Sequence, residues 1–194
     1  MSYFPFFANV EEIKGVVIGG GLVATEKVEK LLGFHANLTV IAPEISDEIR
    51  KYSGQLNIIE REYTASDLEN ADYVIAATNI RHINEQVYRD AKSRHLIINV
   101  VDMPELCNFI FPTVLQRGKL VIGVSTSGAG PQVAIRLRKQ IEETIPNNIE
   151  EILDYLAKER IRAKSEIPDE KQRRKYLIEL ANRCLKYENW EEET

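Results

Sequence analysis

Three small residues near the start of the chain, Gly19, Gly21 and Ala24, follow the spacing G-x-G-x-x-G/A. They come directly after the apolar run 16–18 and open a stretch, 22–32, whose apolar residues recur at helical intervals. In a strand–turn–helix unit, these small residues permit a tight turn, close approach of a pyrophosphate to the backbone, and packing of the helix on the strand. The start of such a helix also attracts phosphate through its free N–H groups and dipole. The spacing predicts a dinucleotide-binding turn, although glycines at such a turn can also serve packing alone.

An acidic residue, Glu44, lies roughly twenty residues beyond this turn, just after the β-rich run 37–42 and Pro43. Dinucleotide-binding folds place a carboxylate there on the adenosine ribose hydroxyls, which favours NAD over NADP. Glu44 could equally be an acid at the start of a helix, as Asp47 and Glu48 could be. Both interpretations stay open at this point.

Two later strand ends carry further candidates. The predicted strand 72–78 finishes at Ala77 and Thr78, whose small side chains would leave space for a ligand in the crevice of an open α/β sheet. Asp102 follows the predicted strand 96–101. A carboxylate beside a bound nicotinamide could exchange the proton that accompanies hydride transfer. Asp102 could instead be an ordinary turn residue.

A second loop that leads into a helix spans 125–131 and is rich in hydroxyl groups and small residues. Ser125, Thr126 and Gly128 lie in this loop, and Arg136 lies on the predicted helix behind it. Free N–H groups and a cationic side chain would hold a carboxylated or phosphorylated ligand. An ordinary capped helix with an exposed basic face fits the same residues.

The elements that must position these residues alternate between strand and helix. Strands are predicted at 16–18, 37–42, 55–60, 72–78 and 96–101, and helices at 22–32, 45–53 and from 79 to 91. This alternation predicts an α/β fold with a Rossmann-type parallel sheet. Two further strands are predicted at 108–112 and 119–125, separated by a connection too long for a two-residue hairpin turn. A helix from 131 to Pro146 and a helical tail from 149 to 187, broken at 167–169, complete the chain.

These elements predict three parts: an NAD-binding Rossmann domain at 1–113, a small α+β segment at 114–148 and a helical domain at 149–194. The apolar start is short and lacks basic residues, so we expect no signal peptide. No apolar run reaches the roughly 20 residues needed to cross a bilayer. The two distant cysteines, Cys107 and Cys184, are typical of buried or free thiols in a reducing cytoplasm. We therefore expect a cytoplasmic protein without membrane contact.

Charge and histidine content exclude two other classes. The net charge of −5 argues against a nucleic-acid-binding protein, which normally carries a basic excess. The three histidines are scattered along the sequence and give no metal-ligand pattern, so no metal site is predicted.

Several motifs, taken together and in order, resemble the precorrin-2 dehydrogenase family of siroheme synthesis. The resemblance covers about residues 1–150, and the tail more loosely. The motifs are 17–24, 39–44, 76–79, 99–102, 109–112 and 124–128. A series of motifs in one order is far more specific than a glycine turn alone.

The resemblance implies NAD-dependent oxidation of precorrin-2 to sirohydrochlorin and, in some members, insertion of ferrous iron. It also implies a homodimer, with 114–148 as its dimerisation segment. On this chain it implies that Leu22, Val23, Pro43 and Glu44 line the dinucleotide and that Asp102 is the catalytic acid/base.

Precorrin-2 is a polycarboxylate, so an acidic protein must concentrate positive charge where it binds this substrate. The candidates for that charge are Arg117, Lys119, Arg136 and Arg138.

An alternative function is an NAD-sensing regulatory Rossmann module without catalysis. It would need the glycine turn and Glu44 but neither Asp102 nor the 125–131 loop. Another small dehydrogenase is a further alternative.

Overall fold

A five-stranded parallel sheet forms the first part of the chain, with strand order β3-β2-β1-β4-β5. In this computed structural model, which describes residues 3–186, the strands are β1 (Lys14–Ile18), β2 (Asn37–Ala42), β3 (Asn57–Glu60), β4 (Tyr73–Ala76) and β5 (Ile97–Val100). The connecting helices are α1 (Leu22–Leu32), α2 (Asp47–Arg50) and α3 (Arg81–Ser93), with short 3-10 turns at Ala65–Leu68 and Pro104–Leu106. The predicted α/β fold with a Rossmann-type sheet is confirmed.

The chain changes direction across the sheet at β1. This strand pairs with β2 on one side, where Ile18 faces Ile41, and with β4 on the other, where Ile18 faces Ala76. The carboxyl ends of β1 and β4 therefore lie side by side at the point where the strand order reverses. Ligands of open α/β sheets bind in the crevice at this position.

Burial explains why these runs form strands and helices. Every residue of β4 is buried, as expected of a parallel strand covered on both faces. Helix α1 buries Ala24, Val28 and Leu31 on one stripe and leaves Glu26 and Glu29 exposed. Burial of these apolar groups stabilises the sheet and fixes α1 at its end.

Two sequence predictions fail locally. The predicted helix 45–53 is reduced to the single turn of α2, with Ser46 as its N-cap. The strand predicted at 108–112 is also wrong. The structure instead has β6 (Thr113–Arg117) paired in antiparallel register with β7 (Leu120–Val124) across a two-residue turn.

The physical reason for the second failure is found at Gly118 and Asn108. Gly118 has a φ of +52°, which lets two residues close the hairpin. The apolar segment 108–112 covers the edge of β5 instead of forming a strand. Asn108 takes the place of a strand partner there, since its side-chain oxygen accepts from the Ile98 N–H at 2.6 Å and its own N–H donates to the Ile98 carbonyl at 3.0 Å.

The contacts divide the chain into two units, Met1–Ile110 and Phe111–Thr194. The second unit contains β6, β7, α4 (Pro131–Glu143), α5 (Ile149–Glu166) and α6 (Glu170–Lys186). The two-helix tail packs through Ile152, Leu180 and Cys184. The break predicted at 167–169 is confirmed, whereas the predicted helix end at Tyr187 lies outside the described residues.

Candidate functional site at the carboxyl edge of the sheet

The glycine turn after β1 fits tightly against the end of β4. Gly19 has a φ of +128°, and a Cβ placed on it would lie 2.4 Å from the Ala77 carbonyl oxygen. Its N–H donates to the Ile41 carbonyl at 2.9 Å, which ties the turn to β2 as well. Only glycine fits this position, because both the backbone conformation and the contact exclude a side chain.

Gly21 is different, because among the described residues nothing lies within 4 Å of a Cβ placed on it. It is the exposed N-cap of α1, and within residues 3–186 no side chain caps this helix. The first turn also lacks acidic residues. Uncapped N–H groups beside open space form the cradle that a pyrophosphate requires. These features fit a dinucleotide.

The residues around this cradle complete the predicted pattern. Ala24, the third small residue, is fully buried where α1 packs on the sheet. Leu22 and Val23 are 75% and 39% exposed. Exposed apolar side chains at the start of the helix provide a surface that a ligand could cover.

Glu44 lies in the turn between β2 and α2, directly against the glycine turn. A Cβ on Gly20 would lie 2.0 Å from the Glu44 carbonyl oxygen, and the Ser46 N–H donates to the Gly20 carbonyl at 2.9 Å. Pro43 and Glu44 are exposed. Since α2 begins at Asp47, Glu44 precedes the helix, and the acids of its first turn are Asp47 and Glu48.

Ala77 and Thr78 follow β4, and Thr78 is held by Asn84 of α3. The Ala77 N–H continues the sheet by donating to the Ile18 carbonyl at 2.8 Å. The Thr78 hydroxyl lies 2.8 Å from the Asn84 side-chain oxygen, and the Asn84 amide donates to the Thr78 carbonyl at 3.0 Å. Asn84 is buried, so these bonds satisfy its polar groups and fix the strand exit. The only sequence signal for this role is a polar residue on the apolar stripe of α3.

Asp102 follows β5 at the same edge of the sheet. The Val101 N–H donates to the Ala76 carbonyl at 2.9 Å, so the chain leaving β5 runs beside the chain leaving β4. Asp102 is exposed and has a φ of +59°. Among the described residues its carboxylate has no hydrogen bond or ion pair. A non-glycine residue in this conformation carries strain of the kind that concentrates at functional sites.

The thiol of Cys107 closes the loop that presents Asp102. It accepts from the Val100 N–H at 3.2 Å and lies 3.2 Å from the Val100 carbonyl and 3.4 Å from the Met103 carbonyl. Burial raises the pKa of this thiol, so it stays protonated and can donate to a carbonyl. The sequence alone predicts only a buried or free thiol at Cys107, since its contacts depend on how the loop folds back onto β5.

The remaining predicted residues belong to the second unit and form their own group. The Ser125 hydroxyl accepts from the Ser127 N–H at 3.1 Å, and the Thr126 hydroxyl accepts from the Gly130 N–H at 3.2 Å. Ser127 and Gly128 have φ values of +52° and +86°. The hydroxyl groups thus hold a sharply turned loop that leads into α4.

Three of the four candidate cations are paired with acids inside this second unit. Arg117 and Arg138 lie 3.7 Å and 2.7 Å from Glu142, and Lys119 pairs with Asp154. The pairing neutralises these side chains. Arg136, exposed on α4, has no carboxylate partner in the part of the chain that the structure describes.

A cavity of about 350 Å³ beside β5 contains none of the predicted site residues. It is lined in part by Lys92, Leu96, Glu105 and Cys107.

Among residues 3–186, His, Cys, Asp and Glu side chains form no group of three or more that could hold a metal ion. None of the helices in that range has the length and apolar character needed to span a bilayer.

Two family profiles match the chain and divide it in a similar way. A family described as "Putative NAD(P)-binding" matches residues 6–113, which include the glycine turn, Glu44 and Asp102. A family described as "Sirohaem biosynthesis protein central" matches residues 117–144, which include the 125–131 loop and α4.

Two curated siroheme synthases are similar to this chain over most of its length. A siroheme synthase of Pseudomonas fluorescens (strain SBW25) is 37% identical over 184 residues, which covers 93% of this chain and 39% of the relative. A siroheme synthase of Mannheimia succiniciproducens is 34% identical over 184 residues, with coverages of 94% and 39%. The chain therefore spans about two fifths of the length of these curated relatives.

A solved structure shares the fold. It is described as SirC, a precorrin-2 dehydrogenase, and superposes with a TM-score of 0.76 at 23% identity, covering 95% of this chain and 100% of its own. At this identity the likeness concerns the fold alone.

Proposed function

Because the chain belongs to the siroheme-synthase family of NAD(P)-binding proteins, we propose that it is an NAD-dependent dehydrogenase that oxidises precorrin-2 to sirohydrochlorin. One observation carries this proposal: an exposed carboxylate, Asp102, follows β5 at the same sheet edge as the uncapped glycine turn. Dehydrogenation needs a dinucleotide and a proton acceptor side by side, and this edge offers a place for both.

The chain's own residues would bind the cofactor in two parts. The N–H groups at the start of α1, behind Gly19 and Gly21, would hold the pyrophosphate, and Glu44 would accept hydrogen bonds from the adenosine ribose. Leu22, Val23 and Pro43 would contact the dinucleotide beside these groups. Ala77 and Thr78 would border the nicotinamide half, since they line the crevice between β1 and β4. When bound, NAD supplies a hydride acceptor.

Asp102 would take the proton that leaves the macrocycle. Its exposure, and the absence of a partner within residues 3–186, leave both carboxylate oxygens available as acceptors. The Cys107 thiol would hold the loop while the proton moves. A carboxylate in this role contributes roughly 100-fold or more to the rate.

The substrate's carboxylates would be held by Ser125, Thr126, Gly128 and Arg136. Support comes from the sharply turned loop and from the guanidinium of Arg136, which has no carboxylate partner among residues 3–186. We also propose a homodimer that associates through the second unit. Val133 and Leu137 lie one helical turn apart on α4 and are 54% and 43% exposed, which gives the helix an apolar stripe for a partner.

The test is an anaerobic assay with precorrin-2 and NAD that follows macrocycle absorption and NADH formation together. Asp102→Asn keeps the side-chain shape, and asparagine tolerates a positive φ. We expect turnover to fall about 100-fold or more while NAD still binds. Glu105→Gln is the matched control, since it removes another exposed acid from the same loop region and should leave turnover unchanged.

The other outcomes discriminate between functions. If NAD binds but neither signal changes with the wild-type protein, the dehydrogenase proposal fails and the NAD-sensing module gains support. If Asp102→Asn turns over normally, Asp102 is not the acid/base. Adding ferrous iron after the oxidation tests metal insertion, which the family resemblance alone suggests.

A further inference from the structure

A pair of hydroxyl groups links the glycine turn to the turn that carries Glu44. The Thr25 side chain of α1 lies 3.1 Å from the Ser46 hydroxyl and donates to the Gly21 carbonyl at 3.1 Å. Since the single Thr25 hydroxyl hydrogen points at Gly21, Ser46 supplies the hydrogen between the two hydroxyls. Ser46 also accepts from the Ile49 N–H at 3.4 Å, which caps α2.

This pair is one of three contacts that hold the Glu44 turn in place. The second is the hydrogen bond from the Ser46 N–H to the Gly20 carbonyl at 2.9 Å. The third is the close approach of the Glu44 carbonyl to Gly20, where a Cβ would be only 2.0 Å away. Thr25 is only 4% exposed, so its hydroxyl forms these bonds away from competing water. The backbone of Glu44 is therefore fixed relative to the pyrophosphate cradle.

We propose that the Thr25–Ser46 hydroxyl pair is a specificity-determining element: by fixing the turn that carries Glu44, it sets how strongly the protein prefers NAD to NADP. This inference rests on the proposed cofactor site. A carboxylate that is held in place accepts hydrogen bonds from the free ribose hydroxyls of NAD and repels the added phosphate of NADP. If the turn loosens, the carboxylate can move away, and it loses both effects together.

The test compares variants by calorimetric binding of NAD and of NADP, without turnover. Thr25→Val removes the hydroxyl with little change of shape, and Thr25→Ser restores it. Thr25→Val also removes the hydrogen bond to the Gly21 carbonyl. From the loss of the bond with Ser46 we expect the dissociation constant for NAD to rise about three- to tenfold, the effect of one buried hydrogen bond. The constant for NADP should stay constant or fall, so the preference ratio drops. Thr25→Ser should recover the wild-type ratio.

Two further variants separate this role from general destabilisation. Ser46→Ala should lower the ratio as Thr25→Val does, although it also removes the cap of α2. The double variant should lower the ratio little further, because each single variant already removes the Thr25–Ser46 contact. Ser93→Ala is the matched control, since it removes a hydroxyl that bonds the Asp90 carbonyl in α3 and should leave both constants unchanged.

Equal weakening of both dinucleotides in Thr25→Val would overturn the inference, because that result indicates a distorted fold and not lost discrimination. A wild-type protein that binds NAD and NADP equally well would overturn it too, and would leave the dehydrogenase proposal standing. Failure of the wild-type protein to bind either dinucleotide would overturn both.

Discussion

Replacing Gly21 by alanine should weaken dinucleotide binding without weakening the fold. A Cβ at this position meets nothing within 4 Å among the described residues, and the backbone, with φ −90° and ψ −169°, suits any residue. Alanine caps a helix less well than glycine, which costs up to about 1 kcal/mol. It also lowers the entropy of the unfolded chain, which contributes about 0.4–1 kcal/mol in the other direction. The free energy of unfolding should therefore change by less than about 1 kcal/mol.

Binding should respond quite differently. The added methyl group occupies the open space in which the pyrophosphate is proposed to approach the backbone. If it displaces one charge-assisted hydrogen bond, the loss is about 1.5–3 kcal/mol. This loss corresponds to a rise of roughly 10- to 150-fold in the dissociation constant for NAD.

Calorimetric titration with NAD and denaturant unfolding measure the two effects separately. Gly54→Ala is the matched control, because Gly54 is exposed and a Cβ there also meets nothing within 4 Å. It should change neither quantity appreciably. If Gly21→Ala binds NAD as tightly as the wild-type protein and the control do, the space beside Gly21 is not the cofactor's, and the reasoning is refuted.

Three further predictions concern stability. Tyr73 has a buried hydroxyl without a hydrogen-bond partner in the described structure, so Tyr73→Phe should raise the free energy of unfolding by about 1 kcal/mol in a urea titration. Burial raises the pKa of Tyr73 to about 12, whereas an unfolded tyrosine ionises near 10. The stability that is linked to ionisation of Tyr73 is thus complete below pH 10 and falls as the pH rises to 12. If the free energy of unfolding of Tyr73→Phe declines as steeply as that of the wild-type protein over this range, this assignment is wrong. His95 has a φ of +58° just after α3, so His95→Gly should gain about 0.5–1 kcal/mol in thermal unfolding, and a loss would mean that its side chain stabilises the fold. The hydrogen bond from the Arg61 guanidinium holds the pKa of Asp67 below its ordinary value. A carboxylate whose pKa is lowered in the folded state stabilises the fold at pH values above its unfolded-state pKa. This stabilisation is lost as the pH falls through the folded-state pKa. Asp67→Asn should therefore be less stable at pH 7 and lose less stability than the wild-type protein below about pH 4; an unchanged acid limb would count against the ion pair.

Local patterns predicted most of the first unit. The run before Gly19, the helical spacing after Gly21 and the continuous apolar strand of β4 each consist of consecutive residues, and each forms the predicted element. The segment 108–112 misled the prediction because its apolar side chains resemble a strand. The Asn108 side-chain oxygen accepts from the Ile98 N–H of β5, and the Asn99 side chain of β5 donates to the Phe109 carbonyl, contacts that no local pattern records.

The candidate site was predictable in position but not in its supports. Sequence spacing alone indicated that Gly19, Glu44 and Asp102 follow strands, and parallel strands bring their carboxyl ends to one edge. No sequence pattern indicated that the Glu44 carbonyl lies against Gly20, or that Asn84 holds the end of β4 through Thr78. The first depends on a partner far along the chain, and the second on how the end of β4 meets α3.

The sequence by itself determined the alternation of strands and helices, the glycine spacing and the types of residue that end each strand, because these are properties of neighbouring residues. Only the tertiary structure decided that the Glu44 carbonyl lies against Gly20, that Cys107 closes the Asp102 loop, and that Asp154 pairs with Lys119. The physical reason is that such contacts depend on strand order, register and loop path, which are settled when the whole chain packs and not by any short stretch of it.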